Sequence, residues 1–297
     1  MDASSVSPVV KEQFVDILWS FAHPDDESFG GAGIIAWANR LGLQTALITA
    51  TRGEVGKIAD PAYGPQEALG GVREQELRKA MRVAGLNELR ILGYRDSGMD
   101  GTPENDDPRA FVQQPFEEVV AHLVAQIREL RPRTVITFDP HGGYGHPDHI
   151  YIHKTTTEAI LRAASDDYAY LGAPWQVETL YYTAFPREII EEIRKRPNSI
   201  FARMTDEEVQ KFGTPSDEIT HWFDTNAFLD ISRKVIIEHA TQLPDGLAQF
   251  DDPASESSQR LRWQTYRRVE LPWAAPAEDL FDRLQREHGN PDRTIRR

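Results

Sequence analysis

The sequence contains no cysteine among its 297 residues. This absence excludes disulfide bonds, thiolate metal ligands and a cysteine nucleophile. The sequence also has no apolar run that approaches the roughly 18 residues of a membrane-spanning helix. Its first residues, MDASSVSPVVKEQF, contain neither a basic start nor an apolar stretch, so no signal peptide is predicted. We therefore expect a soluble, cytoplasmic protein, although the lack of cysteine does not by itself fix the compartment.

Basic residues are scarce relative to acidic ones. The 47 aspartates and glutamates outnumber the 33 lysines and arginines, which gives a net charge of −14. Because an acidic surface repels phosphate backbones and anionic lipids, we expect neither nucleic acid nor membrane among the partners. The hydrophobic fraction of 40% is typical of a globular protein that buries a substantial core.

Short apolar segments alternate with amphipathic segments through about the first 185 residues. Strands are predicted at 16–21, 45–50, 89–92, 134–138 and 180–183, and helices at 31–41, 71–84, 115–130 and 150–164. Because this alternation is typical of a parallel sheet covered on both faces, we predict an α/β fold with a Rossmann-like, mostly parallel sheet.

The alternation weakens in the C-terminal part of the chain. This part contains a predicted capping box at 205–211, helices at 227–242 and 278–287, and loops at 249–258 and 272–277. We therefore predict one domain over 1–297, with a core at about 14–185 and a C-terminal helical elaboration at about 186–297.

Two dense groups of histidine and aspartate follow two of the predicted strands. The stretch FAHPDDESFGG (21–31) ends the first strand, and DPHGGYGHPDHI (139–150) follows the strand at 134–138. Ligands of open parallel sheets bind beyond the carboxyl ends of the strands, where both groups are expected. Either group alone would more often be a helix cap with a surface histidine, but the matched pair favours one shared site.

The residue types in these two groups favour a catalytic metal site. Two histidines and one carboxylate, with an open position for water, are a common catalytic arrangement. His23 and Asp26 are three residues apart at a strand-to-helix turn, so both can face one centre. His149, at the start of the following helix, is the best candidate for the third ligand.

The remaining polar residues of the two groups suit acid–base chemistry. Asp25 would lie beside the metal without binding it, and could take a proton from bound water. His146 could stabilise a developing oxyanion or protonate a leaving amine. Asp148 could orient His146, as carboxylates commonly hold a working imidazole. The sequence leaves open whether His146 or Asp25 delivers the proton to the amine.

With both motifs present, AHPDDE at 22–27 and GGYGHPDH at 142–149, the sequence resembles the LmbE-like, or PIG-L, family of metal-dependent N-deacetylases. Four further stretches are similar to the mycothiol branch of that family, which comprises the GlcNAc-inositol deacetylase and the mycothiol S-conjugate amidase. They are LGGVR at 69–73, YRDSGMDGT at 94–102, FGTPSDEIT at 212–220 and HATQ at 239–242. The resemblance spans most of residues 16–242.

The resemblance implies an LmbE-like fold and a role for each matching residue. It implies Zn²⁺ on His23, Asp26 and His149, with Fe²⁺ as the alternative metal in the cell, Asp25 as general base, and His146 as acid or oxyanion-stabilising group with Asp148 behind it. It adds Tyr144 as a mobile hydroxyl near the scissile carbonyl, and Arg73 and Asp96 as groups that hold sugar or inositol hydroxyls.

The reaction that the resemblance implies is removal of the acetyl (N-acyl) group from an N-acetylglucosamine-type substrate by zinc-activated water. The expected partner is a small N-acetyl amino sugar or glycoconjugate, and a homo-oligomer is one option that the sequence leaves open. The sequence departs from the family at Lys57, where the mycothiol deacetylases carry an acid, and at His141, where they carry asparagine. The Lys57 departure puts the mycothiol precursor in doubt as the specific substrate.

Three alternatives share parts of the same residue pattern. An amidase that cleaves a larger mycothiol-like S-conjugate would use the same zinc site, and Lys57 could suit a substrate with its own carboxylate. A non-haem Fe(II) oxygenase uses the same ligand types, but it needs no base at the position of Asp25. A catalytically inactive sugar-binding module would be expected to lose Asp25 or a ligand, and all of them are present.

Overall fold

A computed structural model describes residues 14–195, 202, 204–243 and 247–288. Its strands are β1 (Ile17–Phe21), β2 (Thr45–Thr51), β3 (Glu88–Tyr94), β4 (Thr134–Thr137), β5 (Thr179–Thr183), β6 (His221–Asp224) and β7 (Trp263–Val269). Within these residues the strands form a seven-stranded sheet in the order β3-β2-β1-β4-β5-β7-β6. The first five positions in this order pair in parallel, and β7 runs antiparallel to both β5 and β6.

The helices cover this sheet and follow the predicted positions closely in the N-terminal part. They are α1 (Asp26–Gly30), α2 (Ala32–Arg40), α3 (Leu69–Ala84), α4 (Phe116–Leu130), α5 (Pro147–Ala163), α6 (Arg187–Arg194), α7 (Asp206–Phe212), α8 (Leu229–Glu238), α9 (Glu256–Arg260) and α10 (Leu280–His288). The mostly parallel α/β fold is therefore confirmed. None of the helices in the described ranges combines the length and apolar character needed to cross a bilayer.

Burial explains why the central strands were predictable. Every residue of β1, β2, β4 and β5 is buried, so these strands read as continuous apolar or small-residue runs. Helix α5 begins at Pro147, three residues earlier than predicted, because His146 takes the position that caps the helix. The predicted capping box at Thr205 and Glu208 is present and opens α7.

The C-terminal part differs from the prediction in three places. It is helical, but it also adds β6 and β7 to the sheet, which the sequence pattern did not predict. The helix predicted at 227–242 consists of α8 between two short 3₁₀ turns, and α9 occupies part of the loop predicted at 249–258. Strand β7, WQTYRRV, was missed because it is partly exposed and carries two arginines among its apolar residues.

Candidate active site

The two motifs meet because β1 and β4 are parallel neighbours in the sheet. Their carboxyl ends reach the same edge, so the turn after β1 faces the turn after β4. The first turn closes around Asp26, whose Oδ2 accepts the backbone N–H groups of Ala22 at 3.1 Å and His23 at 2.7 Å. In the second turn, the Nδ1 of His146 accepts the backbone N–H of Asp148 at 3.1 Å and caps α5.

Three buried side chains converge between these turns. Nδ1 of His23 lies 3.1 Å from Nε2 of His149, which in turn lies 3.3 Å from Oδ1 of Asp26. Nδ1 of His23 lies 3.8 Å from Oδ2 of Asp26. Ligand atoms bound to zinc at about 2.0–2.1 Å in tetrahedral geometry are ~3.3 Å apart, so these separations fit one ion.

The hydrogen bonds on the far sides of the two imidazoles define which nitrogens carry a proton. Nδ1 of His149 lies 3.2 Å from the carbonyl oxygen of Gly142, and Nε2 of His23 lies 3.1 Å from a carboxylate oxygen of Asp148. Because these oxygens can only accept, those nitrogens donate, and the opposite nitrogens present lone pairs when each ring is neutral. Two lone pairs that face each other at 3.1 Å beside a carboxylate suit a bound cation.

Neighbouring groups of opposite charge shift the pKa values of His23 and Asp26. Burial by itself would lower the pKa of His23, but the carboxylates of Asp96 and Asp148 outweigh it and raise that pKa well above its usual value. Burial by itself would raise the pKa of Asp26, but His149 and His23 hold it well below its usual range. Asp26 therefore stays ionised, as a metal ligand must be.

The carboxylate of Asp148 faces His23, and its backbone N–H contacts His146, so its predicted role in orienting His146 stays a prediction. Oδ2 of Asp148 contacts Nε2 of His23 and accepts the backbone N–H of Ser97 at 3.0 Å. At the N-terminus of α5, His146 accepts the backbone N–H of Asp148, while the buried carboxylate of Asp148 lies against His23. Asp148 thus stands behind a predicted metal ligand.

Asp25 lies beside this centre in an unusual backbone conformation, with φ at 109°. Its Oδ2 lies 3.3 Å from Nη2 of Arg73, a buried guanidinium that also donates to the carbonyl oxygens of Pro24 at 2.6 Å and Gly53 at 2.9 Å. Burial raises the pKa of Asp25 to about 6, although the positive charge of Arg73 opposes the rise.

His146 and Tyr144 border the same space. The ring of His146 lies 4.5 Å from that of His23 between centroids, and it offers a nitrogen within 4.8 Å of those of His23 and His149. Burial, together with the nearby charges of His23 and His149, lowers the pKa of His146 to about 2. The ring of Tyr144 lies 5.0 Å from that of His149 and is half exposed.

Arg73 and Asp96, the predicted holders of substrate hydroxyls, are both buried and engaged within the protein. Asp96 accepts the backbone N–H groups of Val55 at 3.2 Å and Gly98 at 2.8 Å, and its Oδ1 lies 3.5 Å from Nε2 of His23. Arg73 therefore contacts the predicted base Asp25, and Asp96 contacts the predicted metal ligand His23. The substrate-binding role of both residues stays a prediction. Lys57 is exposed.

Sequence reasoning missed a buried pair behind Asp25. Oε1 of Glu27 lies 2.7 Å from Nε2 of His239, and both residues are fully buried. The two residues belong to the AHPDDE and HATQ stretches, but 212 positions separate them in the chain. The sequence showed that each residue belongs to a stretch shared with the family, but it could not show that the two residues pair, because no local spacing links positions so far apart.

A cavity of about 830 Å³ lies at the end of β3, and its lining includes none of the proposed metal-binding or catalytic residues. It is lined by polar and charged side chains, including Arg52, Glu54, Gln66, Arg95, Glu104 and Arg109. Oε2 of Glu54 accepts the backbone N–H of Asp96 at 3.2 Å, which joins the wall of the cavity to the residues around His23. The cavity offers room for a polar molecule larger than an acetyl group.

The site can be compared with known proteins. A family model described as PIG-L, GlcNAc-PI de-N-acetylase, matches residues 18–160. A protein of Geodermatophilus obscurus named 1D-myo-inositol 2-acetamido-2-deoxy-alpha-D-glucopyranoside deacetylase is 38% identical over 242 residues, which are 76% of this chain and 82% of that protein.

Several solved structures have folds similar to that of this chain. The N,N'-diacetylchitobiose deacetylase of Pyrococcus horikoshii has a TM-score of 0.58 at 18% identity, covering 86% of this chain and 83% of that one. GalB, the 4-carboxy-2-hydroxymuconate hydratase of Pseudomonas putida, has a TM-score of 0.58 at 16% identity, covering 89% and 99%. Because this fold occurs in a hydratase as well, the sequence relationship and not the fold identifies the family. On that relationship, the chain belongs to the PIG-L, or LmbE-like, family of deacetylases.

Proposed function

We propose that this protein is a zinc-dependent N-deacetylase that removes the acetyl group from an N-acetylglucosamine-type substrate. The observation that carries the proposal is the convergence of His23, Asp26 and His149, with 3.1–3.8 Å between their ligand atoms. The partly buried carboxylate of Asp25 next to them supports hydrolysis. The similarity to the deacetylase of Geodermatophilus obscurus supports the acetylated amino sugar as substrate.

His23, Asp26 and His149 would hold the metal. A zinc ion bound there supplies a Lewis acid that polarises the acyl carbonyl and lowers the pKa of water towards ~7. Asp148 would fix the imidazole of His23, as carboxylates behind metal-binding histidines commonly do. The same ligands accept Fe²⁺, so the metal used in the cell depends also on supply.

Asp25 would act as the general base. A pKa of about 6 leaves its carboxylate ionised at neutral pH and makes it more basic than an exposed aspartate. The buried guanidinium of Arg73, 3.3 Å from Oδ2, limits the directions in which this carboxylate can point. Asp25 would therefore take a proton from the attacking water without leaving its position.

His146 would stabilise the oxyanion of the tetrahedral intermediate. Because its Nδ1 accepts the backbone N–H of Asp148, the neutral imidazole carries its proton on Nε2 and can donate it in a hydrogen bond. The half-exposed hydroxyl of Tyr144 would add a second donor when substrate binds.

We assign delivery of the proton to the leaving amine to Asp25. A neutral His146 would have to become an imidazolate to release its remaining proton, and its lowered pKa of about 2 disfavours the imidazolium. Asp25 receives a proton in the first step, so returning it to the amine restores the carboxylate.

The test is amine release by metal-stripped protein with and without added Zn²⁺. The panel contains N-acetylglucosamine, its inositol glycoside, diacetylchitobiose and a mycothiol-type S-conjugate. We expect zinc-dependent release from at least one acetylated sugar. Absence of release from all the acetylated sugars, with zinc bound, would contradict the proposal.

A second candidate is an amidase that cleaves a larger S-conjugate amide. The observation that favours it is the cavity of about 830 Å³ lined by Arg95 and Val55, together with the exposed Lys57 on a neighbouring loop. Val55, which lines the cavity, is two residues from Lys57. Amine release from the S-conjugate alone would select this candidate.

A further inference from the structure

The backbone of Asp25 needs support from its surroundings. Asp25 is one of three non-glycine residues with positive φ in the described part of the chain, at φ 109° and ψ −23°. A residue with a Cβ atom rarely adopts this conformation, and it persists only where neighbouring contacts hold it. The contacts that hold Asp25 therefore decide where its carboxylate points.

Glu27 makes the contact to the backbone. Its Oε2 accepts the N–H of Asp25 at 3.0 Å, while its Oε1 lies 2.7 Å from Nε2 of His239 and accepts the hydroxyl of Ser28 at 3.0 Å. Glu27 and His239 are both fully buried. A buried carboxylate keeps its place only when donors satisfy it, so His239 anchors Glu27.

We propose that Glu27 and His239 are a positioning pair, which holds the Asp25 backbone in its left-handed conformation and so directs the Asp25 carboxylate to the reacting water. This inference rests on the proposed role of Asp25 as the base. It makes His239, from the C-terminal part of the chain, a requirement for turnover.

The chain next to His239 supports the same arrangement. Thr241 donates from its backbone N–H and its hydroxyl to Glu76, at 2.9 and 2.6 Å. Glu76 lies on α3, one turn after Arg73, which contacts the Asp25 carboxylate. The segment 239–241 thus makes two contacts near Asp25. His239 contacts Glu27, which holds the Asp25 backbone, and Thr241 contacts α3, which carries Arg73.

The experiment compares His239→Leu with His239→Gln. Leucine removes the donor to Glu27, whereas the glutamine amide restores a donor at a similar distance from the backbone. We expect His239→Leu to lose kcat by about tenfold or more, because small displacements of a catalytic group are costly to rate. KM and zinc content should stay as in the wild type, and His239→Gln should recover most of kcat.

His221→Leu is the matched control. His221 is also a buried histidine of the C-terminal part, and its Nε2 lies 3.2 Å from a carboxylate oxygen of Asp282. We expect this variant to lower thermal stability and to leave kcat unchanged. Equal losses of kcat in His239→Leu and His221→Leu, or loss of zinc in parallel with kcat, would assign His239 a merely structural role and overturn the inference.

A second measurement does not depend on turnover. Amide hydrogen exchange at Asp25 should be faster in His239→Leu than in wild type, and unchanged in His221→Leu. If the wild type proved inactive on every substrate, the proposed function would fail, while this exchange would still decide whether the pair holds Asp25. Should His239→Leu not fold, Glu27→Leu replaces it, since leucine can neither accept the Asp25 N–H nor pair with His239; unchanged exchange at Asp25 would refute the pair.

Discussion

Asp25 and Asp26 are adjacent aspartates that the structure places in opposite electrostatic environments. Asp26 faces two imidazoles, which hold its pKa well below the usual range, whereas burial raises the pKa of Asp25 to about 6. Two neighbouring carboxylates with pKa values pushed apart are typical of a site that assigns them different tasks. This contrast is the residue-level reason to propose one as a ligand and the other as the base.

Replacement of Asp25 tests that division. We expect Asp25→Ala to keep its zinc content and to lose deacetylation by a factor of about 10² or more, because a positioned general base contributes 10²–10⁴-fold. Metal analysis and steady-state kinetics on the same preparation check both parts. Loss of zinc together with activity would mean that Asp25 is itself a ligand.

At the scale of elements, α5 and its N-cap supply His146, Asp148 and His149. Different interactions stabilise the two ends of this helix. His146 caps the N-terminus. Near the C-terminus the buried guanidinium of Arg128 on α4 donates to the carbonyl oxygens of six residues: Arg162, Ala163, Ser165, Asp167, Tyr168 and Gly172. Arg162 and Ala163 end α5 and the other four residues follow it, so one arginine joins α4 to the end of α5 and to the segment after it.

We predict that Arg128→Met lowers the free energy of unfolding by about 3 kcal/mol or more, because six carbonyl groups lose a charged donor together. Urea denaturation followed by circular dichroism measures the loss. Arg82→Met, at an exposed position of α3, is the control and should change stability by no more than about 0.5 kcal/mol. A similar small change in Arg128→Met would contradict the role given to this arginine.

At the scale of the whole molecule, metal binding and folding should be coupled. The three proposed ligands come from the turn after β1 and from α5, so the site exists only when both are folded against each other. An ion that binds the folded state alone stabilises it by about 2.7 kcal/mol at a hundredfold excess over Kd. Zinc should therefore raise the melting temperature of metal-stripped protein.

His149→Ala should lose this rise, because it removes one of three proposed ligands. His153→Ala is its matched control, since His153 is a buried histidine one turn further along α5 that contacts the carbonyl oxygen of Phe138. The control should be less stable than the wild type and still respond to zinc. Differential scanning fluorimetry on all three proteins decides, and an undiminished response in His149→Ala would refute the ligand assignment.

The sequence by itself determined the parallel core and the two motifs. Strands β1, β2, β4 and β5 are buried on both faces, so continuous apolar runs predicted them without knowledge of their neighbours. The motifs were visible for the same local reason, because histidine and aspartate are concentrated directly after two such strands.

Only the tertiary structure decided what each polar group contacts. The sequence suggested Asp148 as the partner of its neighbour His146, but chain folding brings the carboxylate to His23. The pairing of Glu27 with His239 and the place of β7 beside β5 likewise join segments far apart in the chain. Local periodicity reports whether a residue is buried, whereas the choice of partner depends on packing between elements, which no local pattern encodes.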